Sequence, residues 1–199
     1  MDSEAWNTRY STADHLYGEE PNAFIVEVAV QIPAGPVLCL AEGEGRNAVY
    51  LATLGHQVTA VDQSEVGLAK ARRLAETQGV EITTVVADLT TYDIAVGAWT
   101  GIIATFAHLP PEVRHQIHRK VVAGLQPGGV FILEAYTPAQ LAFDTGGPKE
   151  PELLMTLDGL REELVDLEFQ ISRELERDVI EGTGHTGRGA VVQILARRL

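Results

Sequence analysis

Cysteine is almost missing from this chain: Cys39 is the only one in 199 residues. A lone thiol permits no intrachain disulfide, which suits a reducing, cytoplasmic compartment. Set within an apolar run, Cys39 reads as a small buried hydrophobe. No apolar stretch approaches the ~18 residues needed to span a bilayer, so a membrane is not an expected partner. The opening Met1-Asp2-Ser3-Glu4-Ala5-Trp6 is acidic and has no apolar core, so it is not read as a signal peptide. Basic residues are few, 15 against 28 acidic ones, for a formal charge of −13. That surface repels polyanions and excludes nucleic acid as an expected partner. Repeats, low-complexity tracts and linkers are absent too. The sequence reads as one domain over 1–199, with an N-terminal helical lid at 1–32 and an α/β core at 37–199. Nothing in it reports an oligomeric state.

From 37 to 133 apolar strand-like runs alternate with amphipathic helical ones, the pattern of a mostly parallel α/β sheet. Two short helices are expected within 4–32, around a turn at Tyr17-Gly18 and Pro21. Strands are expected at 37–40, 57–61, 81–86, 102–105 and 130–134. Helices are expected at 46–54, at 112–125, and from a Ser64 cap to Gly79. The prolines and glycines of 137–154 predict an irregular loop near the site. A short helix at 156–164 and strands at 168–177 and 190–196 follow, with a generous loop over 181–187 closing an antiparallel hairpin.

The chemistry concentrates after the first strand. Gly43-Glu44-Gly45-Arg46-Asn47-Ala48 matches G-x-G-x-x-A, and Asp62 ends the second strand 19 residues past Gly43. That is the layout of a nucleotide-type site. A dinucleotide would rest its diphosphate on this turn. Glu42 and Glu44 would oppose it, since unit charges about 4 Å apart repel by ~4 kcal/mol at an effective dielectric near 20. A ligand with a sulfonium and an ammonium and no phosphate, S-adenosylmethionine, suits an acidic turn better. Asp62 is placed to accept from ribose hydroxyls, and Asp88 from an adenine amino group.

These residues, with Trp6-Asn7-Thr8-Arg9-Tyr10, residues 17–24, Val58-Thr59-Ala60-Val61-Asp62, Ala87-Asp88-Leu89, His108-Leu109-Pro110, Pro127-Gly128-Gly129, Thr145-Gly146-Gly147-Pro148 and the ending 181–197, carry a resemblance. Over almost its whole length the chain resembles class I S-adenosylmethionine-dependent methyltransferases, and within them the tellurite-resistance (TehB-like) small-molecule group. The resemblance implies a Rossmann-like seven-stranded, mostly parallel sheet with helices on both faces and an antiparallel last strand. It implies that Ala41, Glu42, Gly43, Gly45 and Asn47 surround the methionine part of the cofactor. Asp62 and Gln63 then take the ribose and adenine edge, Asp88 and Leu89 flank the adenine, and Thr105 lies near the methionine end. The chain departs from the common pattern at Cys39, Ala41 and Glu42, where many relatives carry an acid, a glycine and a cysteine. Glu42 then becomes the candidate for ordering the cofactor ammonium.

Methyl transfer needs alignment and desolvation, with a base only where the acceptor must lose a proton, and no metal. His185, Arg188 and His108 are the candidate catalytic residues, Arg188 as a partner for an anionic acceptor. Trp6, Arg9, Tyr10 and Tyr17 are candidates for a lid over substrate and sulfonium. His115 and His118 share one helix with no evident carboxylate partner, and no metal site is read there. A small-molecule acceptor, such as a thiol or a metalloid oxyanion, follows from the resemblance. A nicotinamide-dependent oxidoreductase and a non-catalytic cofactor-binding protein are the competing readings.

Overall fold

The computed structural model describes residues 2–143 and 145–199. Met1 of the acidic N-terminus and Asp144 of the expected 137–154 loop lie outside the described residues. Two short helices lead: α1 (Ser3–Tyr10), capped by Asp2, and α2 (Ala23–Val28), whose first amides donate to the Asn22 side chain. The core then runs β1 (Pro36–Leu40), α3 (Arg46–Thr53), β2 (Gln57–Asp62), α4 (Glu65–Gln78), β3 (Thr83–Val86), β4 (Trp99–Thr105), α5 (Pro111–Gly124) and β5 (Leu125–Tyr136). Short 3-10 turns at Pro138–Ala142 and Pro151–Leu153 precede α6 (Leu157–Glu163) and a hairpin of β6 (Leu167–Glu181) and β7 (His185–Arg198).

The seven strands form one sheet in the order β3-β2-β1-β4-β5-β7-β6. The first five are parallel, whereas β7 is antiparallel to both β5 and β6. β1 shows why both faces are covered. Side chains alternate across a strand, and both sets here are apolar. Val37 and Cys39 enter a cluster with Phe24 of α2, Leu51 of α3 and Leu68 of α4. Leu38 and Leu40 enter the opposite one with Ile117 and Val121 of α5 and Leu160 of α6. Cys39 is fully buried in that packing. The chain leaves β1 towards one sheet edge and returns through β4 on its other side. This opens a crevice at the carboxyl ends of β1 and β4, where such sheets bind ligands.

α4 matches its expected span: the Ser64 hydroxyl accepts from the Gly67 amide, and Gly79 ends the helix at φ +69°. Elsewhere β3 falls short of its expected 81–86, and other strands outrun expectation. β4 starts at Trp99 across a register shift before Gly101, and β5 begins at Leu125, ahead of Pro127-Gly128-Gly129. The largest correction is the hairpin. Its strands pair from Leu167↔Arg198 to Glu181↔His185, leaving only Gly182-Thr183-Gly184 as the turn. The charged outer face of β6 had disguised a period of two that continues to Val179. Gly182 needs its φ of +60° and its missing Cβ, which would otherwise lie 2.3 Å from the Leu16 carbonyl oxygen. The hairpin tip thereby packs on the N-terminal segment, where the Gly184 amide donates to Leu16 O at 2.9 Å.

Candidate functional site

A cavity of about 1310 Å³ opens over the carboxyl ends of β1, β2 and β4. Two residues on its wall, Ala41 after β1 and Phe106 after β4, hold φ of +50° and +53°. Non-glycine residues resist this conformation, and it recurs at functional sites that the surroundings over-determine.

On the first side of the cavity, the loop is organised by two carboxylates. Glu42 Oε1 accepts from the amides of Asn47 at 3.0 Å and Ala48 at 2.8 Å. Gly45, at the N-cap of α3, has no side chain to offer, so Glu42 satisfies the free amides of the first turn. Burial pushes its carboxyl up to about 7, against the opposite pull of the Ala48 and Asn47 amides and of Arg46. Asp62 bridges β1 and β2: Oδ2 accepts from Gly43 N at 2.9 Å and Oδ1 from Ser64 N at 2.8 Å. Burial raises its pKa, and the Ser64, Gly43 and Gln63 amides oppose the rise. Asn47 ties the loop to its neighbours, accepting from Asn22 N at 2.9 Å and donating to Thr105 Oγ1 at 2.9 Å. Asp88 closes an Asx turn onto Thr90 N at 2.8 Å. Ala41, Glu42, Asn47, Asp62 and Gln63 line this wall, together with Asp88, Leu89 and Thr105.

Gly43 and Gly45 take other parts. A Cβ on Gly43 would sit 2.6 Å from the Tyr10 hydroxyl, and one on Gly45 would sit 2.4 Å from Ala71 Cβ of α4. Their missing side chains admit Tyr10 and Ala71, and neither residue lines the cavity. Glu44 also turns away from it: Lys70 Nζ stands 2.7 Å from Oε1, and Leu16 N donates to Oε2 at 2.8 Å. The expected pair of opposing glutamates is therefore one, Glu42.

The opposite side is built from remote segments. α1 is clamped to α4 by Asn7, whose Oδ1 accepts from Ser64 Oγ at 2.7 Å. Trp6 stacks on Tyr10 at 5.3 Å, and Arg9 lies 5.0 Å over the Trp6 ring. Trp6, Arg9, Tyr10 and Tyr17 all line the cavity. His185, the first residue of β7, is packed among Tyr17 at 4.5 Å, Phe106 at 4.8 Å and Tyr136 at 5.3 Å. Burial lowers its pKa more than Glu181 raises it, so the imidazole is neutral near pH 7. Gln140 fixes the glycine loop beside it, donating to Gly146 O at 3.1 Å and accepting from Ala190 N at 2.8 Å.

Beneath His185 runs a buried chain of charge. Arg177 meets Glu134 at 2.5 Å and Glu181 at 3.3 Å, and Glu181 meets Arg46 at 2.6 Å. Asn22 Nδ2 donates to the same Glu181 at 2.9 Å. Burial opposes ionisation of Glu181, yet His185, Arg46 and Arg177 hold its carboxyl down to about 2. Sequence reasoning missed Glu134 and Arg177. The available signal for Glu134 was one acid closing the apolar run Val130-Phe131-Ile132-Leu133 at a carboxyl strand end.

Two catalytic candidates change character. His108 lines the cavity, but Nδ1 meets Leu153 O at 2.9 Å and Nε2 accepts from Tyr136 N at 3.3 Å. Burial drives its pKa down to about 4. With both nitrogens engaged by backbone, it is a neutral strut. Arg188 is exposed, faces Glu176 at 3.4 Å and Asp178 at 3.8 Å, and does not line the cavity. Three residues from His185 on one strand, it points to the opposite face. His115 and His118 do have a carboxylate partner, Glu163 of α6, at 2.9 and 2.6 Å. Arg114 shares that carboxylate at 2.8 Å, which makes an ion-pair clamp between α5 and α6.

Residues 37–129 match the methyltransferase domain family. A curated relative in Bacillus subtilis (strain 168), the uncharacterized methyltransferase YbaJ, is 31% identical over 112 residues, which are 55% of this chain and 43% of the relative. The chain thus spans less than half the length of that relative. Among solved structures, TehB from Haemophilus influenzae superposes with a TM-score of 0.74 at 24% identity, covering 99% of this chain and 67% of that one. A protein described by the conversion of a disulfide bond into a thioacetal group during echinomycin biosynthesis reaches 0.81 at 18% identity, covering 98% and 91%. The fold is that of S-adenosylmethionine-dependent methyltransferases, and the methyltransferase family model matches the segment that carries the first side of the cavity.

The donor set fits that cofactor. The amides of Asn47 and Ala48, which would cradle a diphosphate, are already taken by Glu42. Glu42, Asp62 and Asp88 line the first wall, as a ligand with two cationic groups and a ribose requires. No described helix is long and apolar enough to cross a membrane.

Proposed function

We propose that this chain transfers a methyl group from S-adenosylmethionine to a small acceptor with a soft nucleophilic atom. A thiol or a metalloid oxyanion is the acceptor class that the resemblance to the tellurite-resistance group favours. The observation that carries the reading is the capture of the α3 amides by Glu42. It fills a dinucleotide's diphosphate site with a carboxyl group whose ionised form a cation would favour.

Bound there, the cofactor supplies an electrophilic methyl on a good leaving group. Glu42 and Asp62 hold its ammonium and ribose. Tyr10, Tyr17, Trp6 and Phe106 line the cavity and would exclude water from a bound sulfonium. An acceptor seated in the cavity would take the methyl on its lone pair, the carbon–sulphur electron pair remaining with the departing sulphur. When the acceptor is a thiol, its proton passes to the neutral imidazole of His185.

The test is S-adenosylhomocysteine release across a panel of thiols and metalloid oxyanions. His185→Ala is expected to lower turnover with thiols ~100-fold and to leave cofactor affinity unchanged. Unchanged turnover would remove that residue from the chemistry. Cofactor binding without release for any acceptor would favour a non-catalytic protein.

A further inference from the structure

The cavity is larger than its cofactor needs, and rings make up the side away from the glycine turn. Sites that seat one drug-sized ligand, the size class of S-adenosylmethionine, occupy ~300–1,000 Å³. At about 1310 Å³ this cavity leaves room for a second organic molecule. An oxyanion of one metalloid and a few oxygens would leave most of that room to water, where methyl transfer needs a dry site. The rings are contiguous. Trp6 stacks on Tyr10 at 5.3 Å, Tyr10 meets Tyr17 edge-on at 6.4 Å, Tyr17 meets His185 at 4.5 Å, and His185 meets Phe106 at 4.8 Å. All five line the cavity, and Trp6, Tyr17 and Phe106 are only half-buried, as is Leu153 on the same lining. Phe106 is held there against backbone preference. Its φ is +53°, its amide donates to Glu134 O at 2.7 Å, and its carbonyl accepts from His108 N at 3.0 Å.

Charge on the lining argues against an anionic guest. Among the described residues of the cavity wall, Asp2, Glu42, Asp62, Asp88 and Glu150 are acids, and only Arg9 and Arg46 are permanent cations. Both arginines are engaged within the wall. Arg46 meets Glu181 at 2.6 Å, while Arg9 lies 5.0 Å over the Trp6 ring and donates to Tyr17 Oη at 3.4 Å. The net positive charge of a bound S-adenosylmethionine does not cancel the excess of acid. His108 and His185 add no charge near pH 7, since burial pushes both imidazoles down.

We propose that the acceptor is an uncharged organic thiol on a flat aromatic frame, laid against Tyr17 and Phe106, and that Phe106 sets the preference for that frame. The inference rests on the methyltransferase reading and narrows its acceptor class, setting aside oxyanions and carboxylate-bearing thiols. Ring-on-ring contact rewards a flat frame beyond the area it buries. The thiol sulphur gains the methyl carbon, its proton passes to His185, and the cofactor departs as an uncharged thioether.

The experiment measures kcat/KM, by S-adenosylhomocysteine release at pH 7, for phenylmethanethiol, 4-(mercaptomethyl)benzoate, propanethiol and selenite. The first shares its frame with the second, which adds a carboxylate, and its thiol with the third, which lacks the ring. Phenylmethanethiol is expected to lead each of the others by about tenfold or more. Phe106→Leu keeps apolar bulk and removes the ring. It should shrink the lead over propanethiol by about threefold or more, and a folded variant with an unchanged lead overturns the role of Phe106. The wild-type comparison decides the acceptor class even where the variant fails to fold. Equal or better turnover of the benzoate, propanethiol or selenite overturns the proposal and leaves the methyltransferase reading intact. Binding of S-adenosylmethionine with no release from any of these probes also overturns this acceptor class. Absence of S-adenosylmethionine binding overturns both.

Discussion

The two walls of the cavity are built on different principles. The first wall is local: between Leu40 and Ser64, Glu42 and Asp62 satisfy backbone amides within a few residues or across one strand pair. The opposite wall is remote: Trp6, Tyr10, Tyr17, Phe106 and His185 come from distant segments, and behind it Arg46, Glu134, Arg177 and Glu181 meet through side chains alone. Backbone capping fixes a cofactor loop wherever a strand–turn–helix forms. A wall backed by side-chain ion pairs can be re-specified by few substitutions.

The largest expected effect belongs to the local wall. Asp62→Ala removes a carboxylate that holds both Gly43 N and Ser64 N, and it leaves those amides unpaired. A loss of ~3 kcal/mol, or about 100-fold in S-adenosylmethionine affinity by calorimetry, is expected. Gly45→Ala comes next, since its Cβ would strike Ala71 with φ at +92°. It should lower stability by ~2 kcal/mol in thermal unfolding, with little change in acceptor preference.

Glu42 supplies a pH signature. Its carboxyl is raised from the ordinary range to about 7 by burial, so the folded cofactor-free protein binds a proton there that the unfolded chain has already released. Its contribution to stability is complete below the unfolded pKa and is lost as pH rises through about 7. Affinity for a cationic cofactor runs the other way and should improve ~10-fold between pH 6 and pH 8. Glu42→Gln should flatten both slopes, as urea unfolding and calorimetry at several pH values would show. The smallest effect is expected at Arg188→Ala. This exposed charge among Glu176 and Asp178 should change turnover less than twofold and stability by under ~0.5 kcal/mol.

The same division explains what was legible in the sequence. The glycine turn, the Ser64 cap and the Asp62 spacing are short-range signals, and the helix and strands they announce stand where expected. The crevice followed from strand–helix alternation. The hairpin was read too short because β6 carries charge on its outer face. Arg188 was read as a binding residue because His185 and Arg188 were expected outside the last strand, which in fact begins at His185 and puts them on opposite faces. The electrostatic argument against a dinucleotide survives on one glutamate, since pairing of Glu44 with Lys70 of α4 is a tertiary event that no local pattern encodes. Glu134, Arg177 and Glu181 were invisible as a group for the same reason. Each is an ordinary charged residue until the sheet brings them together.

The central claim is that Glu42 occupies the α3 amides and turns this loop from an anion site into a cation site. Calorimetric titration of the wild-type protein at pH 8 with S-adenosylmethionine and, separately, with NADH tests it most directly. Saturable binding of the sulfonium compound, with no heat from the dinucleotide, is the predicted result. Tight NADH binding with no response to S-adenosylmethionine would contradict it.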